Sequence, residues 1–205
     1  MKGNELVWRA LSDAALSGRR TWANIGDIAF AAGVPPAAAH YAIQRLADIG
    51  AVTQHPRGGL STVNPEKVLT LLVAWRNVAA DTVALTTVDA IRPDLASTDG
   101  PYALGGADAA IVYLDGWNNI ADRGQRLIYV SGTGWAEHLE PGEEVRLVKM
   151  DERAQREWTS GFASLAQTCA DLFATPGWQS EEFRKALWRR YLRDTDWEQP
   201  GYADE

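Results

Sequence analysis

Residues 24–50 read NIGDIAFAAGVPPAAAHYAIQRLADIG, and this stretch determines the fold of the first third of the chain. Asn24 suits the N-cap of a helix over residues 25–32, because its side chain can accept a backbone N–H of the first turn. Gly33 suits the end of that helix, since glycine adopts a positive φ without strain. The two prolines that follow fit the first turn of a second helix. We expect this second helix to run to Ile49.

Two helices joined by so short a glycine-containing turn form a helix-turn-helix. The small and apolar residues where the two helices would cross are Ala29, Gly33, Val34, Ala39, Ala42, Ile43 and Leu46. Residues 4–16 form a preceding amphipathic helix, with Leu6, Val7, Ala10, Leu11 and Ala14 on one face. Residues 51–55 and 60–63 alternate like the strands of a hairpin, and Asn64 begins a fourth helix. This order predicts a winged helix over residues 1–78.

The charge of the chain is unevenly distributed. Residues 1–76 carry eight basic and five acidic residues, a net charge of +3, whereas residues 77–205 bring the total to −7. The outward positions of the third helix carry no acid before Asp48, so this face can approach phosphates without repulsion. We therefore expect double-stranded DNA as the partner. The expected DNA-binding residues are Arg19, Arg20, Pro36, Ala37, His40, Tyr41, Gln44, Arg45, His55 and Arg57.

The third helix begins with unusually small side chains. Its first turn, Pro36–Ala39, offers methyl contacts to thymine, while His40, Tyr41 and Gln44 would supply hydrogen bonds to base edges. The sequence equally allows weak base specificity, with phosphate contacts and DNA shape dominating. A winged helix can also bind protein. A protein-interaction or effector-sensing module therefore stays open as an alternative function.

The rest of the chain predicts a separate, small α/β domain. Residues 79–100 read as a connector with a first strand and a break at Ile91–Asp94, residues 101–193 as the domain proper, and residues 194–205 as a polar tail. Strands are expected at 102–104, 127–130 and 145–150, and helices at 107–114 and 162–173, with a last helix capped by Ser180. The fold class predicted for the whole chain is α+β.

Several short segments then suggest a family. YALGGADAA at 102–110, RLIYVSG at 126–132, VRLVKM at 145–150 and the stretch 164–187, with its Pro-Gly turn and Glu-Glu pair, follow a winged helix in this order. In this the chain resembles the AbiEi-type antitoxins of type IV toxin–antitoxin systems and related winged-helix regulators. Two departures are Leu165-Ala166, where the family often has Ser-Pro, and an acidic tail without counterpart. The resemblance implies a transcriptional autorepressor, with a cognate toxin and a homodimer as possible partners.

The second domain also resembles a reduced nucleotidyltransferase core. Gly105-Gly106 fits the helix start that seats a triphosphate, but such enzymes need two carboxylates, one residue apart, on the next strand to hold Mg²⁺. The strand region 123–129 has no such pair, and Asp194 and Asp196 have the spacing only in the tail. We therefore expect no catalytic residues and a glycine pair that permits close packing. A nucleotidyltransferase-like enzyme is the remaining alternative.

The other chemically interesting residues do not form a recognisable motif. His40, His55 and His138 lack metal-ligand spacing, and Cys169 falls on the apolar face of its helix, so neither metal nor cofactor is expected. Tryptophans in predicted loops or the tail are candidates for protein contacts, namely Trp117, Trp135, Trp178 and Trp197. No signal peptide or membrane-spanning stretch is recognisable, which predicts a cytoplasmic protein with no membrane partner.

Overall fold

A computed structural model of the chain describes residues 1–56, 58–97, 102–116, 122–132 and 139–193. The first four helices are α1 (Gly3–Leu16), α2 (Ile25–Ala32), α3 (Pro36–Asp48) and α4 (Pro65–Trp75). Three short strands accompany them, β1 (Thr21–Trp22), β2 (Val52–Gln54) and β3 (Leu60–Thr62). They form an antiparallel sheet in the order β1-β3-β2. The predicted succession of three helices, a hairpin and a further helix is confirmed.

The helix boundaries follow from local chemistry. The Asn24 side chain accepts the backbone N–H of Asp27 at 2.9 Å, which confirms the predicted cap of α2. Gly33 closes α2 with φ of 66°, in the left-handed region that favours glycine. The Asn64 side chain caps α4 in the same way, accepting from the backbone N–H of Lys67 at 3.0 Å. Residues of the local sequence therefore determine where α2 begins and ends and where α4 begins.

The buried face of α1 agrees in part with the expected one, since Val7 and Leu11 are buried as predicted. Leu6, Ala10 and Ala14 are only half-buried, whereas Trp8 is 1% exposed. The Trp8 indole N–H donates to the carbonyl oxygen of Ala42 at 3.2 Å, and its ring meets Trp75 edge-on. The physical reason is that burial of a large indole is worth more than burial of the small side chains of Ala10 and Ala14, provided that its N–H finds a partner.

The chain divides into two compact units. The first comprises Met1–Arg76 together with Arg189–Arg193, and the second comprises Asn77–Trp188. The last described turn, the π-helical Arg189–Arg193, thus groups with the first unit, whereas the sequence placed residues 101–193 in one domain. Within the first unit, Leu192 is 5% exposed.

The second unit contains a mixed four-stranded sheet. Its strands are β4 (Thr82–Thr86), β5 (Tyr102–Gly105), β6 (Arg126–Val130) and β7 (Val145–Lys149), in the order β4-β7-β6-β5. β6 and β7 run parallel, and the outer pairs are antiparallel. Its helices are α5 (Val88–Ser97), α6 (Gly106–Tyr113), α7 (Glu152–Glu157), α8 (Leu165–Ala174) and α9 (Trp178–Trp188). The chain as described is of the α+β class.

Both faces of this sheet are covered. One face packs Leu127 and Tyr129 against Trp158, whose ring meets that of Tyr129 edge-on at 4.9 Å. The other face packs Ile128 and Leu147 against Ile91 of α5. The alternation of neighbouring residues between two apolar layers explains why β6 reads as a continuous apolar run.

Four details of the second unit differ from the sequence prediction. The predicted break at Ile91–Asp94 is wrong, because α5 continues through Pro93 while buried Ile91 anchors it to the sheet. The last helix begins at Trp178, so Ser180 lies inside it and is buried. Helix α8 begins after a cap by Ser164 rather than at Phe162. The short helix α7, capped by Asp151, was not predicted.

Candidate nucleic-acid interface

Helix α3 separates its side chains cleanly between core and surface. The apolar residues Ala39, Ala42, Ile43 and Leu46 are buried, each at most 2% exposed. The predicted contact residues of this helix are all exposed, namely Pro36, Ala37, His40, Tyr41, Gln44 and Arg45. The buried face packs against α1 and α2. Helix α3 therefore presents one polar and aromatic face to solvent on a rigid support.

Within this face, contacts between neighbours orient several side chains. Tyr41 is 76% exposed, and its ring lies 6.1 Å from that of His40 in an edge-to-face arrangement. The Gln44 amide donates to Asp48 at 3.1 Å, one turn along the helix. One N–H of the Gln44 amide is therefore bonded to a neighbour on the same helix. Arg45 lies next to this pair on the exposed side.

The two arginines before β1 lie in different environments. Arg19 is exposed, and its guanidinium carbon lies 3.7 Å from the centre of the Trp22 ring, within the range of a cation–π contact. Trp22 is itself 5% exposed, so it gives Arg19 a rigid platform. Arg20 is only 9% exposed. Strand alternation turns Arg20 inward, and it therefore does not join the surface on which we expected it.

The hairpin contributes a third group. His55 is exposed, and its Nε2 lies 2.8 Å from the hydroxyl of Ser61 across the two strands. Arg57, expected at the tip of the hairpin, lies outside the described residues. Strand β3 lies between β1 and β2, and α3 contacts β2. Strand β1, which follows Arg19, thus belongs to the same structural unit as the hairpin and α3.

Two residues around α3 were not predicted from the sequence. Phe30 of α2 is 75% exposed, as the inward positions of Ile28 and Ala29 could have indicated. The Lys67 ammonium donates to the carbonyl oxygen of Ile49 at 2.8 Å, directly after α3. A cation at this end of a helix interacts favourably with the helix dipole. Lys67 therefore fixes the end of α3 from the neighbouring helix.

The glycine pair of the second unit serves close packing. A Cβ on Gly105 would lie 2.6 Å from Cδ2 of Leu127 and 2.9 Å from Cε2 of Tyr129, closer than side-chain carbons approach. Gly106 has φ of 54°, which disfavours other residues. The first turn of α6 also carries Asp108, whose side chain is 4% exposed. Its carboxylate accepts from Arg123 Nη1 at 2.9 Å and Arg126 Nε at 2.8 Å.

Among the described residues, the strand after α6 lacks the carboxylate pair that a nucleotidyltransferase would need. Strand β6, RLIYV, contains no carboxylate, and Asp194 and Asp196 lie outside the described residues. Across the described ranges, no three His, Cys, Asp or Glu side chains converge as a metal site would require. Cys169 is 7% exposed, as its position on the apolar face of α8 predicts.

One buried polar group stands out in this unit. The Tyr129 hydroxyl donates to Asp171 at 2.6 Å, and the Gln167 amide donates to the other oxygen of the same carboxylate at 2.9 Å. All three residues are at most 1% exposed. Donors on both oxygens compensate for the burial of this carboxylate. The arrangement ties β6 to α8 and leaves Asp171 without access to a substrate.

Exposed aromatic residues occur in the second unit as well. Phe173 at the end of α8 is 55% exposed, and Trp178 at the start of α9 is 61% exposed. The guanidinium of Arg184 lies 5.9 Å from the Phe173 ring. Trp117, Trp135, Trp197 and His138 lie outside the described residues.

No protein-family model, curated protein or solved structure matches the chain. None of the described helices is both long and apolar enough to span a membrane.

Proposed function

We propose that residues 1–78 are a winged helix-turn-helix and that the protein is a sequence-specific, DNA-binding transcriptional regulator. The observation that carries this proposal is the exposed face of α3, where His40, Tyr41, Gln44 and Arg45 stand on a rigid, buried base. A helix supported in this way can enter the major groove, where side chains of these types bond to base edges.

The surroundings of α3 support the same proposal. Arg19 lies on the Trp22 ring and His55 lies next to the hairpin strand β2, so the unit that contains α3 also exposes groups that can pair with phosphate. The first 76 residues carry a net charge of +3 in a chain of net charge −7. The basic part of the molecule is therefore the part that holds the candidate recognition helix.

Together with the antitoxin resemblance, this makes an autorepressor the most economical interpretation. The DNA partner would be an operator, and a homodimer and a cognate toxin are further proposed partners. We propose a non-catalytic role for the second unit, since Gly105 is used for packing and Asp108 for binding two arginines. Incubation with Mg²⁺, labelled nucleotides and candidate acceptors should then give no transfer of label. Transfer that is lost in Asp194→Asn or Asp196→Asn would instead establish the nucleotidyltransferase alternative.

The central test measures DNA affinity at several salt concentrations. Arg45→Ala should weaken binding to all duplexes and reduce the slope of log affinity against log salt by about 0.9, the value for one phosphate contact. Arg156→Ala, which removes a likewise exposed cation on α7 of the second unit, is the matched control and should change neither quantity. His40→Ala should instead alter the preference between operator variants, by about 1–3 kcal/mol at one base pair.

A protein-binding winged helix is the second candidate, and a specific observation favours it. Phe30 and Tyr41 are each at least 75% exposed, and exposed aromatic residues are typical anchors of protein interfaces. The same experiment separates the two functions. If Arg45→Ala binds DNA with unchanged affinity and salt slope, α3 does not dock on DNA as proposed; if the parent chain binds no DNA, the DNA proposal is wrong. A partner captured by the parent chain and lost in Tyr41→Ala would then support the protein-binding function.

A further inference from the structure

Two arginines of the second unit share one buried carboxylate. The Asp108 side chain is 4% exposed, and its two oxygens accept from Arg123 Nη1 at 2.9 Å and from Arg126 Nε at 2.8 Å. Since each guanidinium bonds to a different oxygen of the same carboxylate, the two guanidinium groups are neighbours. The side chains of Arg123 and Arg126 nevertheless stay 52% and 34% exposed. Asp108 thus holds a pair of cations at the surface of this unit.

Each arginine of this pair keeps one complete fork of donors. Among the described residues, Asp108 is the hydrogen-bond partner of both guanidinium groups, and it uses a single nitrogen of each. Arg123 therefore retains Nε and Nη2 for another ligand, and Arg126 retains Nη1 and Nη2. Two guanidinium charges oppose one carboxylate charge, so the cluster keeps an excess positive charge. A second anion can bind to the same pair from the solvent side.

The nearest acid in the sequence does not fill these donors. Asp122 directly precedes Arg123, but its carboxylate accepts from the backbone N–H of Gly124 at 2.9 Å and from the Gln179 amide at 2.7 Å. The same two hydrogen bonds lower the pKa of Asp122, and neither arginine of the pair contributes to that shift. They also fix the segment before β6 on the start of α9. This support reduces the cost of ordering Arg123 around a ligand.

The number of donors favours a terminal phosphate group over other anions. An arginine fork binds two oxygens of a carboxylate or of a phosphate. One fork is enough for the two oxygens of a carboxylate, whereas a terminal phosphate group offers three oxygens to two forks. A phosphodiester offers only two. The donors are side chains, so the site needs no contribution from Gly105-Gly106, which serves packing.

We propose that Arg123 and Arg126, held in place by Asp108, form a binding site for a terminal phosphate group, either inorganic phosphate or the phosphate of a small monoester. This inference goes beyond the proposed function, because it gives the second unit a ligand of its own. Both guanidinium groups bind phosphate oxygens through charge-assisted hydrogen bonds, while their contacts with Asp108 persist. The site requires no DNA, so its test uses the full chain without DNA.

The first test titrates the parent chain with inorganic phosphate and follows arginine Nε–H signals by nuclear magnetic resonance. The signals of Arg123 and Arg126 should shift and saturate. Sodium chloride at the same ionic strength should not reproduce the shift, since it changes only the screening. The internal control is the pair Arg153 and Arg156 on α7, where each arginine has its own carboxylate partner. The signals of this control pair should not saturate.

Two outcomes of this titration overturn the inference. The first is the absence of a saturable shift at Arg123 and Arg126. The second is an equal shift at both arginine pairs, since phosphate then binds to any exposed arginine. Neither outcome depends on a variant, so a variant that fails to fold leaves the test intact.

Variants test whether the two arginines bind the same phosphate. Arg123→Gln should weaken phosphate binding about tenfold or more, the loss expected for one hydrogen bond between charged groups. The affinity is read from the Arg126 signal, which the variant retains. Arg126→Lys, read from the Arg123 signal, should also weaken binding, because lysine keeps the charge and loses the fork. Arg156→Gln is the control and should leave the affinity unchanged. Folded Arg123→Gln and Arg126→Lys chains with the affinity of the parent overturn the inference.

Methyl phosphate and dimethyl phosphate identify the source of the phosphate group. Tighter binding of methyl phosphate than of inorganic phosphate supports the inference and indicates a small phosphorylated molecule as the ligand. The reverse order supports it with free phosphate as the ligand. Dimethyl phosphate, which has two free oxygens as a DNA backbone has, should bind more weakly than both. Dimethyl phosphate or acetate bound as tightly as inorganic phosphate overturns the inference of a site for terminal phosphate groups.

Discussion

Gly105 shows how a motif-like residue pair can be explained by packing. Its missing Cβ makes room for Leu127 and Tyr129, which lie on the neighbouring strand β6. Gly105→Ala should destabilise the second unit by about 1–3 kcal/mol, because the core must shift to admit the methyl group. Chemical denaturation followed by circular dichroism measures this loss.

A double-variant cycle identifies the cause of that loss. Leu127→Ala removes the atom nearest to the new methyl group. The destabilisation caused by Gly105→Ala should therefore be smaller in the Leu127→Ala background, by at least about 0.5 kcal/mol. Additive effects of the two changes would contradict the steric explanation.

At the same scale, the sequence predicted which positions of α3 are buried, but it did not predict the burial of Arg20. Ile43 and Leu46 are buried and His40 and Tyr41 exposed, because the helical period alone separates them. Arg20 escaped the prediction, since a two-residue strand is too short for its alternation to be recognised. Its inward position depends on the pairing of β1 with β3, which is forty residues away in sequence and leaves no local signal.

At the scale of the elements, the stability of a helix depends on its N-cap residue. The Asn24 side chain satisfies a backbone N–H at the start of α2, the helix that supports α3. Asn24→Ala should cost the first unit about 1 kcal/mol. Asn24→Ser, which keeps an acceptor at this position, should cost much less. Thermal unfolding of both variants provides the comparison, and equal losses would show that the cap is not the reason.

A second prediction at this scale concerns pH. The Asp122 carboxylate accepts from the backbone N–H of Gly124 and from the Gln179 amide at 2.7 Å, which joins the segment before β6 to the start of α9. The Gly124 bond first, and then the Gln179 bond, lower the pKa of Asp122 below its ordinary value of 3.8. Because the folded-state pKa is the lower one, this contribution to stability is present above pH 3.8 and is lost as the pH falls through the folded-state value.

Nuclear magnetic resonance can follow the Asp122 carboxyl carbon through this titration. We expect its midpoint below 3.8 in the parent. In Gln179→Ala the midpoint should move part of the way up, since the larger cause, the Gly124 hydrogen bond, remains. A midpoint that is the same in both proteins would contradict the contribution of Gln179.

The helices differ in how well the sequence predicts their bounds. Helices α2 and α4 carry Asn caps and appear where the pattern places them. Helix α5 was missed because Pro93 disfavours a helix locally, whereas packing of Ile91 against the sheet overrides that preference. The Trp178 start of α9 was missed because Ser180 offered a cap that the chain does not use.

For the whole molecule, the two compact units predict two unfolding events. Calorimetry of the full chain should show two transitions. Gly105→Ala should lower only the one belonging to the second unit, and Asn24→Ala only the one belonging to the first. A single transition lowered equally by both changes would mean that the units unfold as one cooperative body.

The order of strands in the second unit could not be obtained from the sequence. Each of β4 to β7 is short, and no residue pattern within a strand indicates which other strand pairs with it. Their order depends on which apolar faces α5 and α8 cover, a property of the assembled unit. The candidate interface was easier to predict, because α3 and the turn before it are formed by consecutive residues. Glycine, proline and the helical period of apolar residues indicate both.

The pairing of β4 with β7 has a consequence for synthesis on the ribosome. β4 is complete at Thr86, but its partner begins at Val145, about 60 residues later. At roughly 5–20 residues per second, β4 waits several seconds for the strand that completes its ladder. The helices α1 to α4 pack within the first 76 residues and need no such delay. The nascent chain thus carries a packed helix-and-hairpin portion while Thr82–Thr86 is still an unpaired strand, the interval in which a chaperone would have most effect.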